Sequence, residues 1–166
     1  MVRFKTIFLL LLSISLVIYA CASDEEKKLS HLEKGKEYFE KGEYKSAKIE
    51  FKNAIQMDPK FTEAYNHLAE TNFRLGDARG AFQAYFRVAE LDPEDLNAQL
   101  KLSTFYVLGK KYDEARKKVD AILAKDPNNT EALLLLGGIL VQEKNLFEAA
   151  SVFEKVIELD SRETRA

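Results

Sequence analysis

Residues Ala81-Phe82-Gln83-Ala84-Tyr85-Phe86-Arg87-Val88-Ala89-Glu90-Leu91-Asp92-Pro93 end in an aspartate-proline step. Proline has no amide hydrogen and disfavours helical geometry in the residue before it, so this step closes a helix. The same ending stands 34 residues to either side, as Asp58-Pro59 and Asp126-Pro127, and these are all the prolines of the chain. Alanine keeps the same period through Ala47, Ala81, Ala115 and Ala149. Several positions on one ruler of this length mark a stack of one supersecondary unit, and four copies account for nearly the whole chain after its N-terminal segment.

Written in that register, the units start near Lys28, Thr62, Leu96 and Thr130, and each carries two amphipathic helices. A small residue recurs at place 8, as Gly35, Ala69, Ser103 and Gly137, where a bulky side chain would push the two helices apart. The alanine ladder serves the same close approach in the second helix. Tyr38, Phe51, Leu68, Tyr85, Leu102, Tyr106, Leu136 and Phe153 recur at helical spacing and read as core. Gly42, Gly76 and Gly109 separate the helices of their units, and Asn129 or Thr130 can cap the start of the fourth.

These residues resemble the tetratricopeptide repeat, with its period of 34, small residue at place 8, alanine at 20, large residue at 24 and proline at 32. The resemblance implies an all-α, right-handed α-solenoid of four helix-turn-helix repeats, 28–61, 62–95, 96–129 and 130–163, after a signal segment. Lys34 replaces the family's leucine at place 7 of the first repeat, Asn72 its tyrosine at place 11 of the second, and Ser161 the last proline. Repeats of this kind normally finish with a polar covering helix. Phe153, Val156 and Ile157 are therefore expected to lack cover, because the array continues beyond Ala166 or because they dock on a partner or a second copy.

Hydrophobic residues make up 46% and charged residues 31%, as expected of many amphipathic helices that each keep a solvated face. The formal charge is −2, and loss of Arg3 and Lys5 with a leader would make it −4, which argues against a phosphate-binding surface. Lys110, Lys111, Lys117 and Lys118 cluster, but Asp113, Glu114 and Asp120 interleave with them as on a solvated helix face. His31 and His67 have no histidine or cysteine at metal-ligand spacing, and the seven glycines form no phosphate loop. No serine lies in a nucleophile elbow. No enzyme activity, metal or cofactor is expected.

At the N-terminus Arg3 and Lys5 precede an uncharged run of 18 residues from Thr6 to Ser23. This pattern describes an export signal, with an uncleaved inner-membrane anchor as the alternative at that length. Cys21 is the only cysteine, so no intramolecular disulfide explains it. Ile18-Tyr19-Ala20-Cys21 resembles the lipobox of bacterial lipoproteins, which implies removal of residues 1–20, acylation of Cys21 and a short tether over 21–27. Two or more acyl chains would anchor the protein stably. Ala22 after the cysteine, by that family's sorting habit, implies the periplasmic face of an outer membrane.

In proteins of this repeat family the first helices line a concave peptide-binding groove, with places 2, 5, 9, 12 and 13 turned into it. Carried over by position, the groove comprises Leu32, Lys36 and Phe39, then Asn66, Glu70, Phe73 and Arg74. It continues through Asn97, Leu100, Thr104 and Val107 to Leu134, Gly138 and Val141. The places of the family's carboxylate clamp hold Leu32, Glu63, Asn97 and Leu100, so an amphipathic helix or extended peptide is the expected ligand. The run Ala132 to Val141 is uncharged and apolar all round, which asks for a cover on its outer side. The implied function is a scaffold in an envelope machine for pilus assembly, outer-membrane protein insertion or exopolysaccharide export. The alternatives are a periplasmic holding chaperone and the front part of a longer repeat protein. Self-association through the last helix is a further expectation.

Overall fold

The computed structural model describes residues 24–163; the expected leader 1–20 and Cys21 lie outside the described residues. The fold is all-α, of the helix-turn-helix solenoid class. Helix α1 covers 24–40, followed by α2 (Tyr44–Met57), α3 (Thr62–Arg74), α4 (Ala78–Leu91), α5 (Leu96–Leu108), α6 (Tyr112–Lys125), α7 (Thr130–Gln142) and α8 (Leu146–Glu163). Residues 24–27, expected as tether, are already helical. Their acidic side chains pair one turn on, Asp24 with Lys27 at 3.4 Å and Glu25 with Lys28 at 2.7 Å, which supports helix locally.

The described residues form two compact units, divided inside α4 after Ala81. In the first unit Leu32, Ala47, Phe51, Ala54, Ala64, Leu68 and Ala69 are buried. A Cβ on Gly35 would come within 2.5 Å of the Phe51 ring, so only glycine allows α1 to lie this close to α2. In the second unit α5, α6 and α7 share one core, in which Leu100, Ala115, Val119 and Ile122 meet Ala132, Leu136, Ile139 and Leu140. Phe153 of α8 lies against Gly137, where a Cβ would meet its ring at 2.4 Å.

The second helices of the first three repeats stop as their aspartate-proline steps require, whereas α8, with Ser161 in place of proline, runs on to Glu163. Asp58 and Asp126 adopt extended backbone, φ −134° and −130°. The aspartate also has a role of its own, because its Oδ1 accepts from the amide two residues on. The distances are 2.9 Å for Asp58 with Lys60, 3.0 Å for Asp92 with Glu94 and 3.2 Å for Asp126 with Asn128. Asn129 caps α7 by accepting from the Ala132 amide at 3.0 Å, and Asp95 caps α5 from the Ala98 amide at 2.9 Å.

The turn inside each repeat uses a left-handed residue at place 15: Gly42 and Gly76 at φ 75°, Lys110 at 58° and Lys144 at 63°. Gly109 is therefore not the counterpart of Gly42 and Gly76; it sits one residue early at φ −80°, and Lys110 takes the left-handed position. The amides that follow bond back to the end of the first helix, as in Glu43 to the Tyr38 carbonyl at 2.9 Å and Asn145 to that of Leu140 at 2.9 Å.

Candidate functional site

In the first unit α1 and α3 bring Lys36, Phe39, Asn66, Glu70, Phe73 and Arg74 to the surface, whereas Leu32 is 1% exposed and belongs to the core. Lys36 bridges the two helices, reaching Glu63 at 2.7 Å and Glu33 at 3.1 Å. Its ammonium is held above its ordinary pKa, first by the Glu63 bond and then, against partial burial, by Glu33. Arg74 Nε donates to Glu70 at 3.0 Å one turn back. Phe39 sets its ring edge-on to Tyr44 at 5.2 Å, while Phe73 stands 60% exposed.

His67 lies beside this face, its ring stacked on Phe51 at 5.2 Å between centroids. Burial depresses its pKa below the ordinary histidine value, and the Lys36 charge adds to the depression against the pull of Glu63 and Glu33.

In the second unit α5 and α7 lie side by side and present Asn97, Thr104 and Val107 with Leu134, Gly138 and Val141. Leu100 is 7% exposed and lies in the core beneath α6 and α7; with Leu32 it is removed from the expected contact residues, because the hydrophobic effect turns both inward. Leu134 and Val141 are 49% and 40% exposed, so the outer side of the apolar helix is not covered among the described residues. A Cβ on Gly138 would meet nothing within 4 Å, so among the described residues this glycine answers no packing need. Next to this face is a polar hollow of about 430 Å³ between Asn97, Leu100, Asn129 and Glu131. Asn129 is committed there to capping α7, and Asp126 to the turn before it.

Of the last helix, Val156 is 6% exposed and Phe153 half-buried, both covered by the fourth repeat itself. Only Ile157 of the three expected there is open, at 68%. Position-wise carry-over missed Leu108, 72% exposed beside Val107, and also Leu146 and Phe147 at 63% and 86%. Phe147 was findable in the register: its place holds Lys45, Arg79 and Asp113 in the other repeats. Among the described residues no helix is long and apolar enough to cross a membrane, and no three His, Cys, Asp or Glu residues gather as metal ligands.

Residues 35–76 match the TPR repeat family and residues 109–166 the Tetratricopeptide repeat family. The chain belongs to the tetratricopeptide-repeat family, a protein-interaction fold and not a catalytic one. It is 34% identical over 119 residues to Sperm-associated antigen 1 of Homo sapiens, covering 72% of this chain but only 13% of that protein. Among solved structures, MamA superposes with a TM-score of 0.75 at 22% identity over 89% of this chain and 86% of that one. The pilF protein of Pseudomonas aeruginosa superposes with a TM-score of 0.67 at 21% identity, over 84% of this chain and 64% of that one. At these identities the superpositions show a shared fold.

Proposed function

We propose that this protein is a bacterial envelope scaffold, anchored by acylated Cys21 at the periplasmic face of the outer membrane. Its first-helix faces grip a helix or extended segment of another subunit. The observation that carries this reading is Phe73, a phenylalanine left 60% exposed on α3 between the polar groups Glu70 and Arg74. An aromatic anchor within a polar surround is the composition of a protein-binding hot spot. The basic, apolar and lipobox-like order of residues 3–21 supports the location. A lipid anchor would fix where the scaffold acts, and the helix faces would select what it holds.

The test places a photo-crosslinking amino acid at Phe73 in exported protein, irradiates whole cells and identifies adducts by mass spectrometry. One dominant envelope protein supports a dedicated adaptor, and its loss from the membrane fraction in a Cys21→Ser variant supports the anchor. A broad set of unrelated proteins would replace the reading with a holding chaperone. Absence of any adduct would remove Phe73 from the binding surface.

A further inference from the structure

The first-helix face of the first unit carries a charge pattern that its counterpart in the second unit lacks. On α1 and α3, Glu33, Glu40, Glu63 and Glu70 stand with Lys36 and Arg74, so four carboxylates meet two cations and the net charge is −2 with His67 neutral. The same places on α5 and α7 hold Lys101, Leu108, Glu131 and Gly138, with Thr104 and Gln142, and sum to zero. Both cations of the first unit are tied within the face. Lys36 donates to Glu63 at 2.7 Å and to Glu33 at 3.1 Å, and Arg74 Nε donates to Glu70 at 3.0 Å. The carboxylates keep accepting capacity, because one carboxylate offers about four lone-pair sites. Glu40 is exposed and has no ion-pair partner among the described residues. Phe73, 60% exposed, stands beside Glu70 as the apolar centre of this acidic surround.

We propose that this face selects a cationic segment of another protein, with an aromatic or leucine anchor for Phe73 held between lysines or arginines. The inference rests on the reading of the first-helix faces as the binding surface and adds the charge of what they bind. Opposite charges across an interface speed encounter and reject wrong partners. Of this chain's 166 residues, those outside the described part supply no such segment once the leader is gone. Arg3-Phe4-Lys5 has the right character but leaves with the leader, and Thr164-Arg165-Ala166 has a cation without an anchor. A second copy offers Lys110 and Lys111 beside the exposed Leu108, but Asp113 and Glu114 follow at once. Two copies at −4 each also repel as wholes. Nucleic acid and an anionic bilayer are repelled by the same carboxylates.

The probes are fluorescein-labelled peptides with the core Phe-Leu-Ala-Phe flanked on each side by three lysines or by three glutamates, and a third with lysines around Ser-Ala-Ala-Ser. Fluorescence anisotropy with the mature protein in non-ionic detergent is expected to show the lysine-flanked apolar peptide binding about tenfold tighter than either control. Glu40→Lys is expected to weaken that peptide by about fivefold with the helical circular dichroism unchanged, because Glu40 is exposed. Glu154→Lys makes the same change in net charge at an exposed place on α8 and should leave the affinity as it was. Equal affinity for the lysine and glutamate peptides overturns the proposal, and so does equal weakening by Glu40→Lys and Glu154→Lys. Mapping the photo-adduct at Phe73 separates this inference from the scaffold reading beneath it. An adduct on a partner segment without lysine or arginine removes the charge selection and leaves the scaffold. An adduct on a second copy or on a retained leader overturns the occupant proposed, and absence of any adduct removes the binding surface and both readings with it.

Discussion

Helix pairs α1–α2 and α7–α8 are built on the same contact and end up differently buried. Each sets a glycine under a phenylalanine sixteen residues on, Gly35 under Phe51 and Gly137 under Phe153, so close that a Cβ would lie 2.5 Å and 2.4 Å from the ring. Yet Phe51 is fully buried and stacked against His67 of α3, whereas Phe153 stays partly open. The contact inside a pair is local and repeats with the sequence. Burial of the phenylalanine's far side depends on the helix that follows, and that is where the two pairs part. Repeat stability is a sum of such intrinsic and nearest-neighbour terms, so the two ends should respond unequally to the same change.

Truncating the phenylalanine gives the widest separation. Phe51→Ala is expected to cost about 3–5 kcal/mol, the range for a fully buried aromatic, and Phe153→Ala clearly less. Urea midpoints at fixed slope measure both. Equal costs would mean that α8 is covered in solution and would erase the contrast. Adding a methyl to the glycines comes next. Gly35→Ala forces a carbon against a ring that has no room to move and should cost about 1–3 kcal/mol, while at Gly137→Ala the half-open Phe153 ring can swing outward and the cost should be smaller. An equal loss at both would show that the ring of Phe153 is as confined as that of Phe51.

Much of this was legible because the fold is repetitive. Asp-Pro, the small place-8 residues and the alanine ladder each report a local steric need, and those needs recur in one register. The small residues Gly35, Ala69, Ser103 and Gly137 are indeed buried where helices approach. Legibility failed where a position's environment depends on neighbours. Place 5 is buried as Leu32 and Leu100 and 49% exposed as Leu134, though all three are leucine. Lys110 and Lys144 hid the left-handed turn that glycine advertises at residues 42 and 76, because a lysine there pays a modest backbone cost without changing the turn. The exposed Phe147 was visible only by asking what the other repeats hold at its place.

Smaller effects come from single backbone positions. Gly138→Ala adds a methyl to open space and removes a glycine from a helix interior, so it should stabilise the second unit by up to about 1 kcal/mol. If a partner helix crosses close at Gly138, the same variant should bind it more weakly, which turns a stability gain into a functional loss. Lys144→Gly relieves a left-handed lysine and should stabilise by a similar amount.

The smallest expected effect is a pH dependence confined to the first unit. His67 is kept neutral mainly by its burial against Phe51, with Lys36 adding to the depression and Glu63 and Glu33 opposing it. Its folded pKa lies below the ordinary 6.5, so in the window between the two the unfolded chain binds the proton more readily. The contribution to stability is therefore complete above about pH 6.5 and is lost as pH falls through the depressed folded value, below which it no longer changes. Two ion-paired carboxylates of this unit stay clear of the window. Asp58, held down first by the Lys60 amide and then by Lys28, and Asp77, held down first by Lys48 and then by the Gly80 amide, both titrate below the ordinary 3.8. The urea midpoint should fall between about pH 7.5 and pH 5.5, and His67→Gln should flatten that fall while leaving the slope with denaturant unchanged. A fall that persists undiminished in His67→Gln would assign the dependence to another group and detach it from the stack on Phe51.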